Sequence, residues 1–170
     1  METWQEHSHT FTWYDAAAGM AQARQLSGRA YLEGIRDGTI PEPPMPALMG
    51  LRLVEVDEGR VVFTGEPRPY HYNGVGLVHG GYAATLFDTA IGCAAVTRVP
   101  AGLIAVTLDL QIRYFKPLTE ASGIVRCEGT IINLGRTTST AEGRLWDGNG
   151  RLCGHATSTL ALIVPKPGEH

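Results

Sequence analysis

Residues 82–96, YAATLFDTAIGCAAV, decide the fold. They are apolar or small almost throughout, and a helix apolar on every side is a helix surrounded by protein. At 1.5 Å per residue the run makes about four turns. The rest of the chain must therefore supply the elements that wrap it. Gly80 and Gly81 stand just before the first turn, and Asp88 is the only charged side chain inside it.

The wrapping elements follow on the C-terminal side. Ile104, Val106, Leu108, Leu110, Ile112 and Tyr114 share one parity, while Thr107, Asp109, Gln111 and Arg113 take the other. Strict period-two alternation predicts one long strand over residues 104–114 with its apolar side on the helix. Residues 124–134, 136–146 and 152–164 read as three more long strands, with Leu134-Gly135 and Asp147-Gly148-Asn149-Gly150 as the turns between them. On the N-terminal side, LRLVEVD and RVVFTGE flank Glu58-Gly59 and predict a hairpin.

Residues 1–46 differ in character. Residues 15–35 read as helix-forming, with Ser27 as a cap for a second piece and Gly38 as the stop. Four prolines in residues 40–46, IPEPPMP, predict an extended connector. The expected organisation is a helical extension with its connector (1–46), one core domain (47–165) and a short tail (166–170). A curved antiparallel sheet around one apolar helix, an α+β architecture, accounts for this order of elements better than a sandwich or a doubly wound sheet, because no βαβ repeats flank the helix.

Composition sets the limits. The chain has 170 residues, room for about one domain. With 44% hydrophobic and 18% charged residues it can bury a core without disulfides. Fourteen basic against seventeen acidic side chains give a formal charge of −3 with no like-charge block, so the footprint of a nucleic-acid binder is missing. No run of 18 uninterrupted apolar residues suggests a membrane span. Cys93, Cys127 and Cys153 are odd in number and widely spaced, which fits small apolar fillers in a reducing compartment. The start, METWQEHSHTFTWYD, lacks the pattern of a secretory signal, so a cytoplasmic protein is expected. His7 and His9 form an H-x-H with no third ligand nearby and read as a solvated tail rather than a metal site.

The chemistry concentrates in YHYNGVGLVHGGYAATLFD, residues 70–88. The first backbone N–H groups of a helix have no intrahelical partner and carry the positive end of its dipole, so the Gly80-Gly81 turn is a ready site for an oxyanion. Asp88 admits two readings. It is a structural carboxylate facing solvent or another subunit, or it is a base or nucleophile paired with that oxyanion site, as acyl transfer requires. No G-x-S-x-G nucleophile elbow is present.

Asn73, His79-Gly80-Gly81 and Asp88, spaced N-x5-HGG-x6-D, resemble the hotdog-fold acyl-CoA thioesterases of the phenylacetic-acid-degradation (PaaI-like) type. The likeness continues through TLDLQIRYFKP, GRTTSTAEGRL and HATSTLALI, and residues 45–163 make up about 70% of the chain. The resemblance implies a curved antiparallel sheet around a central helix, acting on acyl-CoA without a cofactor. It implies Asp88 as general base or nucleophile and a Gly80 or Gly81 N–H polarising the thioester carbonyl. Asn73 would help place the thioester, and Thr107 would supply a hydroxyl that orients water. His79 matches the family histidine, whose role is either chemical or a structural hydrogen bond. Arg136, then Lys116 and Arg98, are candidates for the coenzyme A phosphates. Tyr70, Tyr72, Leu77 and Phe87 are candidates for the acyl pocket. A homodimer or homotetramer is also implied, with Asp88 of one subunit facing Asn73 and the HGG turn of the other. The competing readings are a non-catalytic acyl-CoA-binding module and a hotdog hydratase or dehydratase, for which His79 would be the only second acid or base.

Overall fold

In the computed structural model, residues 4–15, 19, 21 and 23–164 are described. Helix α1 (Gly28–Arg36) starts at Ser27, whose hydroxyl accepts from the Ala30 N–H at 3.3 Å. Gly38, at φ +75°, turns the chain away from it. A turn at Arg24-Gln25 separates α1 from what precedes. Of the expected helix over 15–35, residues 16–18, 20 and 22 lie outside the described residues. The proline-rich connector departs from expectation, because Pro44–Leu48 form a short helix, α2. Proline in the first turn has no N–H to waste and its fixed φ suits the helix, so prolines there start a helix rather than forbid one.

Strands β1 (Leu51–Asp57) and β2 (Arg60–Gly65) form the expected hairpin, with Gly59 at φ +78° in the turn. The apolar run is helix α3 (Gly80–Val96). It is followed by β3 (Ile104–Thr107), β4 (Gln111–Tyr114), β5 (Val125–Leu134), β6 (Thr138–Trp146) and β7 (Leu152–Ile163). All pairings are antiparallel, in the order β1-β2-β5-β6-β7-β3, with β4 also on β7. The sheet curls round α3, whose Leu86, Phe87, Ala90, Ile91, Ala94 and Ala95 are fully enclosed. Two strand glycines permit this closeness. A side chain at Gly129 would collide with the Ala90 carbonyl, and one at Gly143 would come within 2.9 Å of the Phe87 ring.

The long strand expected over 104–114 is broken. Thr107 pairs with Leu160 and Gln111 with Thr157, so four steps on this side answer three on β7 and one residue is extra. That is a β-bulge. It is held by the Leu108 N–H to the Thr159 carbonyl (2.9 Å), by the Ser158 hydroxyl to the Asp109 carbonyl (2.7 Å), and by the Thr159 N–H to Asp109 Oδ1 (3.0 Å). The apolar parity is therefore not all on the helix side. Ile112 packs on the core, whereas Val106 and Leu108 are exposed, and Thr107 turns towards α3.

Nor is α3 enclosed all round. Gly81, Ala84, Thr85, Thr89, Gly92, Cys93 and Val96 are only partly covered, and Asp88, in the middle of this stripe, is exposed. The sheet covers one side of the helix and α1 and α2 touch another.

Candidate active site

The turn that leads into α3 is built by side chains bonding to nearby backbone. Asn73 Oδ1 accepts from the Val75 N–H (3.0 Å) and the Leu77 N–H (3.1 Å), and the Asn73 N–H donates to the Leu77 carbonyl at 2.8 Å. With its oxygen committed to the loop, Asn73 keeps its amide NH2 as the group available to a ligand. His79 caps the helix, its Nδ1 accepting from the Gly81 N–H at 2.8 Å. In the neutral ring this places the proton on Nε2. A β-carbon at Gly81 would lie 2.9 Å from that Nδ1, so the cap requires the second glycine.

This bond treats the two candidate oxyanion donors differently. The Gly81 N–H is engaged by His79 and the Tyr82 N–H by the His79 carbonyl (2.9 Å). Among the described residues nothing engages the Gly80 N–H, which is left free at the positive end of α3. Tyr114, which sequence reasoning misses as a site residue, donates its phenol to the Gly80 carbonyl at 2.9 Å, on the Gly80–Gly81 peptide whose N–H His79 holds. Burial pushes the Tyr114 phenol above its ordinary value, so it stays a donor at neutral pH. Its only signal in the sequence is its place at the start of Tyr-x2-Pro.

Asn73, Leu77, His79, Gly80, Tyr114 and Lys116 share a pocket of about 300 Å³. The remaining candidates fall elsewhere. Tyr72 accepts from the Glu120 N–H at 2.8 Å and faces a neighbouring hollow with Tyr70 and His71. Phe87 is fully buried core. His9, expected in a solvated tail, stacks on Tyr70 with ring centroids 4.5 Å apart. Arg98 follows the far end of α3, roughly 27 Å of helix from Gly80, and pairs with Glu58 at 3.4 Å. Arg136 lies in the β5–β6 turn, next to the β6 end that holds Ser139. The pocket takes Leu145 from the other end of the same strand, about 20 Å away.

Asp88 is also outside the pocket. It stands eight residues along α3 from Gly80, about 12 Å, and Thr107 Oγ1 donates to its Oδ1 at 2.8 Å. One chain thus holds two separated groups: a pocket with the unengaged Gly80 N–H, and a carboxylate held by a hydroxyl on the uncovered stripe of the helix. Burial, with the Asp88 charge adding to it, pushes the neighbouring Cys93 thiol up to about 12, so this cysteine is a filler and no nucleophile. Among the described residues no His, Cys, Asp and Glu cluster could hold a metal ion, and no helix is long and apolar enough to cross a membrane.

A curled sheet around one helix, with an HGG turn at the helix start and a carboxylate in its middle, is the hotdog arrangement, and residues 75–154 match the thioesterase superfamily. The phenylacetic acid degradation protein PaaI from Thermus thermophilus, solved in a mutant form, is 32% identical, with 70% of this chain covering 98% of that one at a TM-score of 0.64. The chain belongs to this superfamily, and its solved relatives include PaaI itself. A putative esterase of Halobacterium salinarum is 38% identical over 82 residues, which are 44% of this chain and 52% of that protein, so the match spans about half of the relative. A Streptococcus mutans protein solved bound to acetyl CoA is 27% identical, with 68% of this chain covering 90% of that one at a TM-score of 0.61.

Proposed function

We propose that the protein hydrolyses acyl-CoA thioesters at a site completed by a second copy of the chain. The observation that carries the reading is the separation of Asp88 from Gly80 within one chain, about 12 Å of helix. Neither half-site suffices for acyl transfer alone, and both are open to another molecule. The acetyl-CoA-bound relative supports coenzyme A as the carrier.

In this reading the Asp88 carboxylate of one subunit, held by Thr107, takes a proton from water as the water oxygen attacks the thioester carbonyl. The Gly80 N–H of the other subunit receives the developing oxyanion, aided by the helix dipole. The tetrahedral adduct collapses with loss of the coenzyme A thiolate, which needs little protonation to leave. Attack by Asp88 itself, through a mixed anhydride, is the variant of this route that single-turnover hydrolysis in 18O-water distinguishes by labelling the enzyme. Asn73 NH2 places the thioester, and Lys116, in the same pocket as Gly80, meets coenzyme A. Arg136 belongs with the Asp88 half.

The test is complementation. Asp88→Asn removes the charge and keeps the shape, and is expected to lower kcat by roughly 10² to 10⁴-fold while acyl-CoA still binds. Gly80→Pro deletes the oxyanion donor. Mixed in equal amounts after unfolding and refolding together, the two inactive variants are expected to regain about a quarter of wild-type thiol release, since half of the dimers hold one intact site. No recovery in mixed dimers, or an active monomer by light scattering, defeats the shared site. A folded Asp88→Asn protein of undiminished kcat defeats the catalytic assignment.

A further inference from the structure

Residues 28–46 lie outside the stretch that matches the superfamily, yet they enclose a second cavity against α3. Tyr31 and Ile35 of α1 and Pro46 of α2 form one wall, and Thr89, Cys93 and Val96 of α3 form the other. The cavity is about 100 Å³ and only apolar atoms face it. Interiors are close-packed, and an apolar void of this size does not hold water well. Such a space suits an apolar occupant.

Its position says which one. Thr89 directly follows Asp88, and Thr89, Cys93 and Val96 succeed one another along one line of α3, a line about 10 Å long that runs from Asp88 towards the C-terminal end of the helix. A thioester carbonyl at Asp88 can send its acyl tail along this line, with α1 and α2 facing it across the cavity. We propose that the N-terminal extension is the outer wall of the acyl pocket and sets the acyl length it takes, admitting an unbranched chain of about six to eight carbons. The proposal rests on the thioesterase reading and adds the substrate class and the element that selects it. The extension is thus part of the specificity of the site, although it carries none of the reacting groups.

Ile35 tests the wall from the extension side. Ile35→Phe shrinks the cavity and Ile35→Ala enlarges it. The readout is the ratio of kcat/KM for octanoyl-CoA to that for butanoyl-CoA, together with calorimetric binding of the S-octyl and S-butyl thioethers of coenzyme A. The ratio is expected to fall at least tenfold in Ile35→Phe. In Ile35→Ala the preferred chain is expected to lengthen by one or two carbons, each buried methylene adding about three- to fourfold. If an Ile35 variant loses its cooperative thermal transition, Cys93→Met fills the cavity from the opposite wall and is expected to lower the same ratio. Turnover with an unmoved chain-length profile in folded variants overturns the proposal and leaves the thioesterase reading intact. Thioether binding that follows Ile35 without any thioester hydrolysis supports the cavity and overturns the catalytic reading instead. A preference for phenylacetyl-CoA indifferent to both walls also overturns the proposal.

Discussion

Thr107 on the edge of the sheet donates a 2.8 Å hydrogen bond to Asp88 in the middle of α3. The bond orients the carboxylate and fixes which oxygen remains free. Thr107→Val keeps the shape and removes the donor, and kcat is expected to drop about tenfold, the scale of one hydrogen bond to a partly solvated charge. Thr107→Ser keeps the donor and is expected to stay within about threefold of wild type. Steady-state kinetics on both variants checks this, and equal losses in Val and Ser would show that the methyl rather than the hydroxyl matters.

The oxyanion assignment makes an unusual demand on proline. Gly80 is the first residue of α3, a position where proline is well tolerated. His79 before it has φ −59° and ψ 134°, an extended conformation that a following proline accepts. Gly80→Pro therefore deletes one N–H and adds a ring whose β-carbon lies in van der Waals contact with Tyr114, 3.4 Å from its hydroxyl. Its kcat is expected to fall by roughly 10² to 10³-fold with a circular dichroism spectrum and thermal midpoint close to wild type. Gly81→Ala behaves differently, because its β-carbon displaces the His79 ring. It is expected to lower the thermal midpoint as well as the rate.

Lys116 and Arg136 separate by substrate truncation. Each, changed to Ala, is expected to raise KM for acyl-CoA severalfold and leave kcat nearly unchanged, because a contact remote from the carbonyl acts on ground and transition states alike. With acyl-pantetheine, which lacks the nucleotide phosphates, both defects should vanish. A defect that persists reassigns the residue to the pocket wall or to structure.

Stability should depend on pH through His71. Burial holds its imidazole below the ordinary value of 6.5, and His9 and Arg68 add to the shift. Just below pH 6.5 the unfolded chain takes up this proton while the folded protein does not, so the stabilisation present above that pH is lost as pH falls towards the depressed folded value. His71 Nδ1 accepts from the Arg68 N–H at 3.0 Å, an acceptor role that His71→Gln can retain. The midpoint of wild type is expected to decline below about pH 6.5 more steeply than that of His71→Gln. Parallel slopes by scanning calorimetry would remove His71 from the account.

Much of this is legible in the residues, for reasons that can be stated. The run around Leu86, Ala90 and Ala94 has no polar face, and the strands from Val125 onward alternate cleanly with glycine-marked turns between them. The cap of His79 on the Gly81 N–H and the loop around Asn73 are local in sequence, and local chemistry reads well. Three features do not read. The bulge at Leu108 to Leu110 is invisible because the apolar alternation runs straight through it, and the side-chain bond of Asp109 to the Thr159 N–H joins residues 50 apart. Pro44 reads as a helix breaker although it starts a helix. The distance between Asp88 and Gly80 follows from helix rise alone, but the stripe around Asp88 shows as uncovered only once the sheet is placed.

The bulge also sets the phase of the edge strand. Thr107 and Tyr114 are seven positions apart, an odd number, so an uninterrupted strand would present them on opposite faces. Yet one must reach Asp88 and the other Gly80, both on the helix side. The surplus residue shifts the strand by half a repeat and lets a single edge serve both the start and the middle of the helix. Removing one residue from the bulge would leave Thr107, Tyr114, Asp88 and Gly80 all in the chain and put the two hydroxyls out of step.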